Sequence, residues 1–281
     1  MFHGEEREAA VERMNKEYKQ MERHQKNVIR SSEHLYRERD RLKKSVFTMW
    51  DLINSFREKP TELNVTLKKV KIEYDRYEDL ISEAEVQADE LEKVYGGAVS
   101  AVAIGGGVAA LGPSVAMSIA TTFGTASTGT AISALSGVAA RNAALAWLGG
   151  GTLAAGGGGT ALGSTILGLA GPVGWGIAAA GIVGGSLMAN GKNKKAIAQA
   201  NEATKKIEAQ SKILEGTAEE IRILRRQTSK FTSEMNSARL RVERFNRNFN
   251  ELSETEQDRI VAIVNNVFSA AKMLNKTVGQ K

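Results

Sequence analysis

Residues 94–191 contain one charged side chain, Arg141, in 98 positions, and 25 of the chain's 28 glycines fall in the same stretch. An ordinary soluble domain is about a quarter charged residues throughout. This chain reaches 25% only because its flanks are dense in Lys, Arg, Glu and Asp. The order is charged arm, apolar glycine-rich block, charged arm. A block that cannot solvate itself with ionised groups needs cover from the arms, from lipid or from a partner. Three segments follow: 1–95, an N-terminal helical hairpin; 96–191, an apolar membrane-insertion block; and 192–281, a long helix with a short capping helix.

The arms carry heptad stripes. In the first, one seam is Met14, Met21, Val28, Leu35, Leu42, Met49 and Phe56. A weaker partner seam is Val11, Tyr18, Gln25, Ser32, Arg39, Val46 and Ile53. A second track runs from Leu63 through Leu67, Val70, Tyr74, Tyr77 and Ile81 to Tyr95. A third runs from Ala200 through Ile207, Leu214, Ile221, Leu224, Met235, Val242 and Phe249 to Leu252. Such spacing puts one narrow apolar stripe on each helix and demands a neighbouring helix to cover it. The predicted arms are 5–58, 61–95 and 195–252. Pro60 separates the first two, which predicts an antiparallel hairpin. Ser253-Glu254-Thr255-Glu256 reads as a capping box that opens a last short helix. The fold class is all-α: an elongated antiparallel coiled-coil or helical bundle with a central Gly/Ala-rich apolar hairpin.

Within the block, breaks at Pro113, Arg141-Asn142 and Gly171-Pro172 leave pieces near the length that crosses a bilayer as a helix. Small residues recur every four positions: Gly112, Ala116, Ala120 and Gly124, then Gly129, Ser133 and Gly137. Gly151, Ala155, Gly159 and Gly163 form another row, and Gly176, Ala180 and Gly184 the last. On a helix this spacing keeps small residues on one face, where backbones approach closely, the glycine-zipper arrangement. Glycine disfavours helix in water by about 1 kcal/mol per residue relative to Ala, so the block needs a packing partner. A flexible linker would lack the interleaved Ile, Leu, Val, Met and Trp, and a two-stranded β-tongue is the other option for the Thr- and Gly-rich parts. Arg141, Trp147 and Trp175 lie near breaks, where tryptophan suits a membrane interface and packs equally well in a core.

Charge is uneven. Residues 1–95 hold 19 basic against 21 acidic groups, while 192–281 hold 18 against 11. The basic excess begins at the block's edge with Lys192, Lys194 and Lys195. This cluster suits anionic headgroups or nucleic acid, and a solvated helix face is the plain alternative.

Chemistry is sparse. With no cysteine there is no disulfide, thiolate metal site or thiol nucleophile. His3, His24 and His34 show no i, i+4 pair for zinc. Gly185 to Lys192 has five residues between its glycines, where a phosphate loop has four, and no Ser or Thr follows the lysine. Gly149 to Ala154 imitates a dinucleotide fingerprint without a preceding strand. No enzyme and no cofactor is expected.

An amphipathic bundle with an apolar hairpin inserted midway resembles the α-helical pore-forming proteins of the cytolysin A and haemolysin BL group, and the apolipoprotein L-like proteins. The segment 144–185, ALAWLGGGTLAAGGGGTALGSTILGLAGPVGWGIAAAGIVGG, is similar to glycine-zipper segments of such membrane-active proteins. The resemblance implies a membrane-inserting, oligomeric pore-former kept soluble by its bundle, a toxin or an intracellular membrane-damaging effector. Its partners would be a lipid bilayer, copies of itself and a chaperone or other protein; nucleic acid is disfavoured. The polar N-terminus, MFHGEEREAAVERMNKEY, has no signal-peptide core, so the expectation is a cytoplasmic soluble form moving to a membrane, or signal-independent export. The rival is a non-perforating scaffold, membrane-anchored or phage-structural.

Overall fold

The computed structural model describes residues 2–95, 193–278 and 120–148, the last without 122, 123, 125, 127, 129 and 136. In parts of these, 83–95 and 193–196 among them, it describes the backbone alone. Five helices are described: α1 (Phe2–Asn54), α2 (Thr61–Tyr95), α3 (Gly137–Leu148), α4 (Asn193–Val242) and α5 (Glu254–Leu274). Single 3-10 turns lie at Ile132–Ala134 and Phe249–Glu251. The described residues are mostly helical and include no strand, so the all-α expectation holds. They divide into two units. Unit 1 comprises Met1–Arg30, Glu83–Glu219 and Thr277–Lys281; unit 2 comprises Ser31–Ser82 and Glu220–Lys276.

The stripes of the arms are the core. Every member of the first seam, from Met14 to Phe56, is buried, and in the weaker seam Ser32, Arg39, Val46 and Ile53 are buried too. Leu63, Leu67, Val70 and Tyr77 are the inward face of α2, and Ile221, Leu224, Met235 and Val242 that of α4. Removing a side chain of Leu or Ile size from water stabilises the fold by about 1.5–3 kcal/mol, so these heptads outweigh every ion pair on the surface.

In unit 2, α1 and α2 run antiparallel. The Trp50 indole N–H donates to the Leu67 carbonyl (3.0 Å), the Phe47 and Tyr74 rings lie 5.5 Å apart, and Lys43 pairs with Glu78 at 2.8 Å. Partners descend along α2 as positions rise along α1, as the hairpin expectation requires. The turn closes through α1's last carbonyls. The Lys59 ammonium donates to the carbonyls of Asn54 (2.7 Å) and Phe56, and Glu58 adopts a positive φ of 56°. A cation on the free carbonyls of a helix C-terminus is favoured by the helix dipole. By contrast α4 runs parallel to α1: Ser45 meets Asn236, and further on Arg57 meets Arg247, whose carbonyl accepts from the Arg57 N–H at 2.7 Å.

Two helix ends differ from the sequence reading. α1 stops at Asn54, four residues short of the expected 58, and α4 stops at Val242, ten short of 252. The apolar rhythm continues past Val242, and Phe249 and Leu252 are buried all the same. The backbone leaves the helix because asparagines compete for it. The Asn246 Oδ1 accepts from the Asn248 N–H (2.9 Å), and the Asn248 Oδ1 accepts from the Asn250 N–H (3.2 Å). Such local bonds offer an alternative to the helical ladder. The freed chain then pairs with Arg57, whose carbonyl accepts from the Phe249 N–H at 3.0 Å.

The start of α5 is where the sequence put it. The Glu256 carboxylate accepts from the Ser253 N–H (2.9 Å) and hydroxyl (2.7 Å), and those bonds hold it below the usual carboxylate range. α5 buries Ile260, Val264, Val267, Ala271 and Leu274. Its first end lies near the hairpin turn, since Asn250 donates to Glu58 (3.1 Å), and its last lies near Glu73 and Arg39. It therefore runs alongside α2 in the same direction.

Candidate functional site

The described part of the apolar block, residues 120–148, lies in unit 1 and builds a small core of its own. Ala120 and Thr121 are helical, and the Gly124 N–H donates to the Ala120 carbonyl at 2.8 Å. The chain then closes a tight loop. The Ala126 N–H donates to the Thr130 carbonyl (2.7 Å), and the Ile132 N–H to the Gly124 carbonyl (3.0 Å). The Thr128 and Thr130 hydroxyls, 3.1 Å apart, bridge its tip. A 3-10 turn at Ile132–Ala134 leads to Gly137, which opens α3 with φ at 56°, a region that favours glycine.

Ala120, Ile132, Ala140 and Ala144 are wholly buried there, with Ala126, Leu135, Ala143 and Trp147 packed against them. Three of those four core side chains are methyl groups. Each removes little apolar area from water, so this core is worth far less per residue than the Leu and Met seams. Its dependence on close approach is read most directly at Gly124. A methyl there would sit 2.3 Å from the Ala120 carbonyl oxygen, 2.7 Å from the Ile132 Cδ1 and 3.1 Å from the Trp147 Cγ. No side chain fits without moving backbone. The small residue at that place is required by packing.

Of the residues singled out in the sequence, Gly124 and Trp147 come together at this cluster, and Gly137 opens the helix that carries Ala140 and Ala144. Trp147 is half-buried and packs against the cluster. Arg141 and Asn142 lie inside α3, so the turn expected at Arg141-Asn142 is not found there; the non-helical stretch precedes it and ends at Gly137. Alanines on both sides of Arg141, at 139, 140, 143 and 144, carry the helix through it, because Ala has the highest helix propensity. Lys194 and Lys195 fall in the first turn of α4, which has no acidic residue. Cations at a helix N-terminus oppose its dipole, so an anion brought there would be welcome. Gly112, Gly129, Gly151, Gly159, Gly163, Gly176, Gly184, Trp175 and Lys192 lie outside the described residues.

A second feature escaped the sequence reading. Arg39 sits in the weaker seam of α1 and is 1% exposed. Its guanidinium donates to the Lys276 carbonyl just beyond α5. Burial pulls its pKa down to about 10, opposed by the nearby Tyr77, so the group is a cation at neutral pH. Beside it the Asn275 amide donates to both the carbonyl and the carboxylate of Glu73, each at 2.9 Å. The available signal was an arginine at a seam position where Val46 and Ile53 follow.

Unit 2 also has an open cavity of about 370 Å³ lined by Glu38, Arg41, Ser229, Thr232, Ser233, Asn236, Ser237 and Leu240. Glu38 is already engaged by Arg41 at 2.9 Å. Among the described residues no group of three or more His, Asp or Glu could hold a metal ion, and no helix is long and apolar enough to cross a membrane. Comparison with protein-family models, curated proteins and solved structures finds no match.

Proposed function

We propose that this chain is a membrane-inserting, oligomeric pore-forming protein that its helical arms keep soluble. The observation that carries the reading is the run of 98 residues with one charge, set between arms that carry almost all the ionised groups. The arms' apolar seams are satisfied by one another, as their burial attests. The described part of the block rests on a core of alanines and one isoleucine, a weak hold that lipid can outbid. Small-residue faces then supply what helices need to associate in lipid, where close backbone approach replaces the hydrophobic effect. Lys192, Lys194 and Lys195 provide an anionic-headgroup contact at the block's edge.

Dye release from anionic liposomes tests this. Wild type releases dye, and Gly159→Leu reduces release more than it reduces the helicity of the soluble protein. Wild-type protein that binds the vesicles without releasing dye would favour a non-perforating membrane scaffold. Protein that stays off the vesicles would leave a soluble interaction protein.

A further inference from the structure

The contact between Arg39 and the segment after α5 does more than fill space. A fully buried cation in a seam is a poor stabiliser; an apolar residue of similar volume usually serves as well or better. What a buried guanidinium adds is direction, since its N–H groups must meet acceptors in a fixed fork. The acceptor here is the backbone carbonyl of Lys276, two residues past the last residue of α5. That carbonyl is held in place by little helix of its own. The Asn275 N–H bonds to the Lys272 carbonyl at 3.1 Å, and the Lys276 N–H reaches the Met273 carbonyl at only 3.4 Å. Asn275, with φ −92° and ψ 0°, then turns its amide to Glu73 of α2. Its own Oδ1 is buried and accepts no hydrogen bond. Two polar residues thus join the end of α5 to both α1 and α2.

We propose that Asn275 and Lys276 form a latch that closes the end of α5 onto the α1–α2 hairpin through Arg39 and Glu73 and holds that end of the unit shut.

Hydrogen exchange of the full-length protein tests this. Asn275→Ala removes the Glu73 bonds. Lys276→Pro disfavours the helical-region geometry of Asn275 and so displaces the Lys276 carbonyl. Asn266→Ala, exposed on α5, is the control. Each latch variant is expected to speed exchange in 267–274 and around residue 39 about tenfold or more, the loss that goes with a charge-assisted bond. In an Arg39→Met background, Lys276→Pro has a smaller effect than in wild type, because the Arg39 bond is already gone and only the disturbance of Asn275 and of the Lys276 N–H remains; wholly independent destabilisations would add. Exchange within twofold of wild type in both latch variants overturns the latch, and Asn275→Ala alone decides if the proline variant does not fold.

Discussion

Two glycines with opposite reasons show how much the residue scale decides. Gly216 lies within α4, where a methyl would meet nothing within 4 Å. Gly216→Ala should stabilise the protein by roughly 0.5–1 kcal/mol, the helix-propensity difference. Gly124→Ala should do the reverse, since the methyl meets a carbonyl oxygen at 2.3 Å. Chemical denaturation of the two variants checks the pair; equal shifts would mean that neither environment is as described. The sequence singled out Gly124 for its place in a row of small residues, and gave no means of telling it from Gly216 by environment. Only the approach of Ala120, Ile132 and Trp147 separates them.

The phenols set a pH limit at the same scale. Burial pushes Tyr77 up, with the Arg39 cation pulling it partly back. Burial, then the neighbouring Glu78, pushes Tyr74 up to about 12. A folded-state pKa above the unfolded value of about 10 means the folded protein holds protons that the unfolded chain releases. Their contribution is therefore complete below pH 10 and is lost as pH rises from 10 toward 12. The urea midpoint should fall across that window, and Tyr77→Phe should make the fall shallower. A midpoint just as steep in Tyr77→Phe would mean that Tyr77 ionises without resistance.

Among the elements, helices whose seams are uniformly apolar were legible to within a few residues. α1 and α2 keep period through Leu35, Leu42, Leu63 and Leu67, and every one is buried. Leu42→Ala should destabilise unfolding equilibria by about 2–5 kcal/mol, as a fully buried leucine does. A change below 1 kcal/mol would place Leu42 at a seam that water reaches. The start of α5 was legible because Ser253 and Glu256 have one strong local use. The end of α4 was not, because apolar spacing reports which side chains are buried and is silent on whether the backbone between them is helical. Phe249 and Leu252 obey the rhythm from a 3-10 turn and a loop. The asparagines at 246, 248 and 250 were the overlooked sign. The break read at Arg141-Asn142 falls inside a helix in this fold, because strong helix formers on both sides carry it through.

For the whole molecule, sequence pattern gave the all-α class and set two charged arms apart from an apolar block in composition. It could not give the polar joint of Arg39, Glu73, Asn275 and Lys276, because those residues lie far apart in the chain and only folding brings them together. The basic edge belongs to this scale too. Changing Lys192, Lys194 and Lys195 to Glu should weaken binding to anionic liposomes and flatten its salt dependence, each charge near such a surface being worth about 1 kcal/mol. Mutant and wild type bound equally at low salt would reduce the cluster to a solvated surface.

The central claim is that the block enters lipid while both charged arms stay on the side from which the protein came. The chain has no cysteine, so single cysteines at Ser100, Leu167 and Ser186 can be labelled without interference. With sealed anionic liposomes and a thiol reagent added outside, positions 100 and 186 should both react, while position 167 becomes protected only when vesicles are present. If 100 and 186 were reached from opposite sides, or 167 reacted equally with and without vesicles, the insertion model would have to be abandoned.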